Sequence, residues 1–230
     1  MPTGRGFIPF GPDHQMVLVT TAVIAVGLII GRRRLRQLDD RWVRRVVAAG
    51  LVANEVIAWS VAAAEGQVRV PLQLCDLALF LTAWTLMKPT RHVAELAYFW
   101  GLAGSLQAVL TPDLVDPFPT YWWVKFFLTH CGVVLSAVYL GVTGRVQPTQ
   151  RSVWRVWGLT NVYAGTVGIV NWFYGTNYGY LAHKPMHPSV LDRFGPWPYY
   201  ILGMEVIALL SFYLYYAPFA VARFGSAHRP

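Results

Sequence analysis

The sequence predicts an all-α fold: a polytopic membrane helix bundle of seven transmembrane helices, with its N-terminus outside and its C-terminus cytoplasmic. Three observations predict it. Of 230 residues, 55% are hydrophobic and only 13% are charged, where a soluble domain carries about 25% charged residues. Apolar windows long enough to cross a bilayer as helices recur along the whole chain. The basic residues collect in alternate connections, as the positive-inside rule requires of a protein threaded back and forth through a membrane.

The windows fall at 16–31, 43–64, 70–87, 92–110, 122–143, 153–173 and 198–220, within a single transmembrane domain spanning 1–230. The first, from Met16 to Gly31, is followed by Arg32, Arg33 and Arg34. A secretory signal has its positive charge before the apolar run, so this order predicts a retained helix. Most connections carry breaker residues, such as Lys88-Pro89-Thr90 and Thr111-Pro112-Asp113.

Seven arginines lie between Arg32 and Arg45, and the same side collects Lys88, Arg91, Arg145, Arg151, Arg155, Arg223 and Arg229. The other side holds only Arg5, Arg69, Lys184 and Arg193, with Lys125 inside a span. That asymmetry sets the predicted orientation in a cell membrane. It also assigns the net charge of +8 to topology and to anionic-lipid contact at Arg32–Arg45 rather than to nucleic acid. On the outer side, 111–121 is acidic and proline-rich, while 174–197 is long, aromatic and rich in Gly and Pro, the profile of a lid. Trp122, Trp123, Trp172 and Trp197 sit where an outer aromatic belt belongs.

Ionisable groups inside spans cost about 2.5–3.5 kcal/mol each on insertion scales, which makes each a candidate for function. They are Glu55 beside Asn54, Asp76 beside Gln73 and Cys75, Lys125 and His130, and Glu205; Gln107, Asn161 and Asn171 add neutral polarity. Counted inward from the window ends at 1.5 Å per residue, Cys75 lies roughly 8 Å deep and His130 roughly 12 Å. A polar pocket opening to the outer half of the bundle would gather nearly all of these groups. Each also has a plainer reading. The carboxylates serve as buried partners for Lys125, His130 as a satisfied interior histidine, Cys75 and Cys131 as small hydrophobes, and the asparagines as interhelical glue.

Taken as a pair, Cys75 and His130 supply a nucleophile and its base, and a nearby carboxylate is the usual orienting group. Other chemistries lack their marks. There is no phosphate loop and no H-E-x-x-H zinc spacing, and Pro185 separates His183 from His187. The seventh window has no lysine for a retinal Schiff base. No cofactor and no metal is implied. Two competing classes stand: a transporter or ligand-binding membrane protein lined by Glu55, Lys125 and Glu205, and an assembly subunit without chemistry of its own. The sequence assigns no oligomeric state.

Three stretches carry a resemblance: Val70-Pro71-Leu72-Gln73-Leu74-Cys75-Asp76, Phe126-Phe127-Leu128-Thr129-His130, and Asn177-Tyr178-Gly179-Tyr180-Leu181 through Lys184-Pro185 to Gly195-Pro196-Trp197-Pro198-Tyr199-Tyr200. Together they resemble the bacterial YwaF-type integral membrane proteins, related to eukaryotic transmembrane protein 164, over most of the chain. The loop ending in Gly-Pro-Trp-Pro is the most specific part. The eukaryotic relative moves polyunsaturated acyl chains onto ether phospholipids, and the more distant androgen-induced hydrolases cleave fatty-acid esters with a Thr and His pair. The resemblance therefore implies lipid acyl transfer or lipid ester hydrolysis, with membrane lipids as substrate, Cys75 as nucleophile and His130 as catalytic histidine. Gln73, Asp76, Glu55, Lys125, Asn171, Asn177 and Glu205 are the candidate supporting or pocket-lining residues. Gln73 departs from the family pattern, which has histidine there in many relatives.

Overall fold

The computed structural model describes residues 6–185 and 189–227. Arg5, His187 and Arg229, which entered the charge and spacing arguments, lie outside the described residues. Among those described there is no strand, and seven helices account for the seven apolar windows. They are α1 (Pro12–Ile30), α2 (Arg41–Ala64), α3 (Leu74–Met87), α4 (Arg91–Leu110), α5 (Tyr121–Val142), α6 (Gln150–Tyr174) and α7 (Tyr199–Ala227). Five of them, α1, α2, α4, α5 and α7, are long and apolar enough to cross a membrane. Helix α3 is apolar but has 14 residues, and α6 has 25 residues but a more polar composition.

Several boundaries differ from the windows for local reasons. Helix α1 starts four residues before Met16, because Pro12 is preset for a first helical turn and Asp13 complements the helix dipole. Helix α3 starts at Leu74 rather than at residue 70. Pro71 disfavours helical geometry in the residue before it, so the stretch before α3 stays outside the helix. Cys75 accordingly sits in the first turn of α3.

Helix α4 is interrupted by a π-helical segment, Gly101–Leu106. Its sequence, Gly-Leu-Ala-Gly-Ser-Leu, places two glycines and a serine where the α-helical hold is weakest. π segments of this kind recur at functional sites.

The packing divides the chain into two compact units, one containing the chain to Pro71 and then Cys75–Val146, the other Leu72–Leu74 and the chain from Gln147 on. In the first unit α5 is the hub, touching α1, α2 and α4. Small residues allow the close approaches. A Cβ on Gly132 would come within 2.8 Å of Leu51 on α2, and one on Gly101 within 3.0 Å of Val133 on α5. Glycine at such crossings is how helices pack where lipid gives no hydrophobic drive. Near the N-terminus, Phe7 donates its backbone N–H to Val115 O at 2.9 Å. The fully buried His14 binds Val109 O through Nε2 at 2.8 Å and accepts the Phe10 N–H at Nδ1. Leu114, Trp123 and Phe127 form a small core beneath this strap.

Trp123 therefore departs from the belt expectation. It is 5% exposed and packs on Phe118 and Phe127, because its position on α5 faces the neighbouring loop. Trp172, 84% exposed, and Trp197, 58% exposed, have the exposure a belt needs, and Trp122 lies under the Arg69 guanidinium.

In the second unit, α6 begins at a reciprocal cap between Thr149 and Ser152 and ends at Gly175, whose φ of +63° suits glycine. The segment between α6 and α7 is folded rather than loose. It contains short 3-10 turns at Tyr178–Tyr180 and Val190–Phe194. Phe194 lies against Gly203 of α7, and Tyr200 donates its hydroxyl to Tyr180 O at 2.6 Å.

Candidate functional site

The polar residues of the first unit meet along the α2–α5 seam. Leu51, Asn54, Glu55 and Ala58 recur at helical spacing on α2, and Lys125, Thr129 and Gly132 do so on α5. Lys125 Nζ lies 2.7 Å from Glu55 Oε2, both side chains nearly sealed from solvent. Oε2 makes no well-aligned hydrogen bond, so the contact is chiefly an ion pair. One turn away, Asn54 Nδ2 donates to Thr129 Oγ1 at 2.8 Å and to Lys125 O at 3.3 Å. This seam realises the plainer reading of Glu55 as the partner of Lys125, and it fixes where the ammonium sits.

That ammonium is a charge common to the surroundings of both candidate catalytic residues. Cys75 and His130 each lie within electrostatic reach of Lys125. Cys75 is also beside Asp76, its neighbour in the first turn of α3, and beside the hydroxyl of Ser105. Ser105 is fully buried inside the π segment of α4, and its Oγ completes no well-formed hydrogen bond. A thiol is a weak hydrogen-bond partner, so the buried hydroxyl is only poorly satisfied beside it. The π segment is what turns this hydroxyl toward α3.

His130 is one turn beyond Phe126 on α5, and its Nδ1 lies 2.7 Å from Phe126 O. A carbonyl only accepts, so Nδ1 must carry the proton. Nε2 is then the basic nitrogen, and it makes no hydrogen bond among the described residues. The Phe126 ring, with its centroid 4.2 Å from that of the imidazole, holds the ring plane. The tautomer and orientation that a general base needs are thus set by one residue of its own helix.

The remaining candidates belong to the second unit and hold local structure there. Gln73 Oε1 accepts the Gly179 N–H at 2.8 Å. Asn171, nearly fully buried, accepts the Tyr178 N–H and the Thr176 hydroxyl and donates to Tyr178 O. Asn177 binds the backbone of Ala182 and His183. Glu205 accepts from Asn161 at 3.0 Å. Gln107, in the first unit, bonds Thr111 one turn on. Among the described residues no group of three or more His, Cys, Asp or Glu side chains is arranged to hold a metal ion.

Sequence reasoning passed over several buried polar groups. Glu95, 1% exposed, pairs with Arg91 at 3.3 Å, at a window edge where it reads as an exposed loop acid. Asp40 looks like an ordinary residue before a helix. It is nonetheless buried and held by Arg44 at 2.9 Å, by Arg145 at 2.7 Å and by the Tyr139 hydroxyl. Ser105 has no signature in an apolar run. The two glycines around it, Gly101 and Gly104, were the available signal for a helix irregularity.

An all-α chain with five helices fit to cross a bilayer, and with a buried ion pair sealed between two of them, is a helical membrane protein. The TMEM164 family profile matches residues 9–216. The chain belongs to the TMEM164 family. No curated protein and no solved structure matches it.

Proposed function

We propose that this protein is a membrane lipid acyltransferase or lipid ester hydrolase of the cell membrane, with Cys75 as nucleophile and His130 as general base. The observation that carries the reading is the charge and tautomer arrangement around the pair. Lys125 lies within electrostatic reach of the Cys75 sulfur, and the Phe126 carbonyl accepts from Nδ1 so that Nε2 is the basic atom. The first turn of α3 adds the positive end of a helix dipole near the sulfur.

In this reading the Cys75 proton passes to His130 Nε2 as sulfur attacks the carbonyl of a lipid ester. The C–S bond forms, the ester C–O bond breaks, and the departing alcohol takes the proton back from the imidazolium. A second lipid hydroxyl, or water, then gives its proton to Nε2 and attacks the thioester; the C–S bond breaks, the imidazolium returns the proton to sulfur, and the new ester or the fatty acid is released. In this reading the Ser105 hydroxyl, beside the sulfur, donates to the negative charge that builds on the substrate oxygen or on sulfur. The same reading has all seven helices cross the membrane, the short α3 and the polar α6 included, with the N-terminus outside and the C-terminus cytoplasmic.

The test is labelling with an alkyne-tagged phospholipid followed by hydroxylamine, which releases thioesters. Wild type acquires a hydroxylamine-labile label and Cys75→Ala acquires none. His130→Gln slows labelling by about 10²–10⁴-fold, the usual contribution of a positioned base. Equal labelling of wild type and Cys75→Ala sinks the proposal. Substrate flux abolished by Glu55→Gln but indifferent to Cys75→Ala would point to transport instead.

A further inference from the structure

The seven arginines between Arg32 and Arg45 are not equivalent. Arg36 donates through Nε to Val142 O at 2.9 Å. Arg44 is tied to Asp40 at 2.9 Å and to the Leu86 carbonyl. These two hold the polypeptide together. Arg32, Arg33 and Arg34 are exposed on a single short helical turn, the arrangement a topology signal needs.

Arg41 and Arg45 are different. With Arg44, Leu86 and Met87 they line a cavity of about 200 Å³ between the start of α2 and the end of α3. Arg41 has only a loose 3.8 Å contact with the exposed Asp39. Arg45 has no ion pair or hydrogen bond among the described residues. The carboxylate that neutralises Arg44, Asp40, also holds Arg145, so it has no charge to spare for the other two. Two guanidinium groups one helical turn apart repel each other, and an anion bound between them relieves that repulsion.

The chemistry of the lining selects among anions. Paired guanidinium forks match the several oxygens of a phosphate group. The cavity has a floor of buried Leu86 and a rim of Met87, which is 57% exposed. Trp42, 73% exposed, and Val43, 59% exposed, follow Arg41 on α2. A site with arginines at its mouth and bare apolar surface beside it suits a group that is charged at one end and hydrocarbon at the other.

We propose that the Arg41–Arg45 cleft is a phosphate-binding site, and that the phosphate is the headgroup of an anionic phospholipid. The proposal does not rest on the acyl-transfer reading. It concerns charges in the first turns of α2, away from the Glu55–Lys125 pair, and uses none of the residues assigned to that chemistry.

The experiment measures binding of dihexanoyl phosphatidic acid to the delipidated full-length protein in a neutral detergent, by native mass spectrometry and by thermophoresis. Dihexanoyl phosphatidylcholine and inorganic phosphate are the comparison ligands. Arg41→Gln and Arg45→Gln each weaken phosphatidic acid binding at least tenfold, whereas Arg33→Gln leaves it as in wild type and phosphatidylcholine binds far more weakly. Arg41 and Arg45 are both exposed, and unchanged thermal unfolding of each variant verifies that it is folded. Failure of inorganic phosphate to displace the lipid supports the site and assigns it to a headgroup. Displacement at equal concentration supports a phosphate site and assigns it to a soluble phosphate. Wild-type affinity in both cleft variants, or an equal loss in Arg33→Gln, overturns the proposal.

Discussion

Two of the buried charge clusters in the first unit, around Asp40 and around Glu55, are built to opposite standards. Around Asp40, one carboxylate receives Arg44, Arg145 and the Tyr139 hydroxyl, while Arg44 also donates to the Leu86 carbonyl. Every strong group there has its complement. Around Glu55, the carboxylate has one cation and no aligned hydrogen bond at Oε2. Ser105 Oγ has only the Cys75 thiol beside it, and His130 Nε2 is bare among the described residues. A saturated cluster ties helices together and resists change. An under-saturated one keeps bonding capacity that a substrate can use, at a standing cost in stability.

This contrast can be broken experimentally, most severely at Asp40. Asp40→Ala leaves Arg44 and Arg145 without their carboxylate, and removal of one partner of a buried pair costs about 3–5 kcal/mol. The expected result is a large loss of thermal stability in detergent, with little recovery from adding lipid. A small loss would show the knot to be ornamental.

Lys125→Met comes next. It strands Glu55 and is expected to destabilise by about 3 kcal/mol, toward the lower end for a buried pair left half empty. The double variant Glu55→Gln/Lys125→Met removes both charges and should regain most of that loss, with a coupling of about 0.5–3 kcal/mol in a double-mutant cycle. Recovered stability without recovered lipid labelling would separate the structural role of the pair from its proposed role beside Cys75 and His130.

Gly132→Ala tests the approach of α2 to α5. The added methyl would meet Leu51 Cδ2 at 2.8 Å, and overpacking of this kind costs about 1–3 kcal/mol. The leucine tip can shift, which favours the low end. Smallest is Asn54→Ala, which removes the bonds to Thr129 and Lys125 O. Interhelical hydrogen bonds in membrane proteins average about 0.6 kcal/mol. A loss above that of Gly132→Ala would mean the asparagine does more than join two helices.

The helical, lipid-facing character of the chain was legible because composition and window length are additive properties that no tertiary detail reverses. Glu55 and Lys125 were legible as exceptions to that composition, and their mutual pairing was one of the stated readings. Residues whose meaning depends on geometry were not legible. Asp40 and Glu95 lie at window edges, where acids are ordinarily solvated, and only the fold shows that neighbouring elements cover them. Trp123 and Trp122 are adjacent and chemically identical, yet one is core and the other lies under a guanidinium, because successive helix positions point about 100° apart. Cys75 falls in a first helical turn instead of a second because the helix begins at Leu74 and not at residue 70. Gln73, Asn171 and Asn177 were sensed as important polar residues, but what each of them bonds in the 174–197 loop follows from backbone turns that no periodicity encodes.

The widened turn in α4 has a consequence for how this helix must be engineered or compared. A π segment accommodates one residue more than the α-helix it replaces, so the side chains from Gln107 onward are out of phase with those up to Trp100 by about 100°. Excising a single residue from Gly101–Leu106 would leave a helix of nearly unchanged length whose far end is rotated by that amount. Val109, whose carbonyl anchors His14, would then turn away from the N-terminal strap. The irregularity thus works as a phase setter, letting one rod present Ser105 toward α3 and Val109 toward α1.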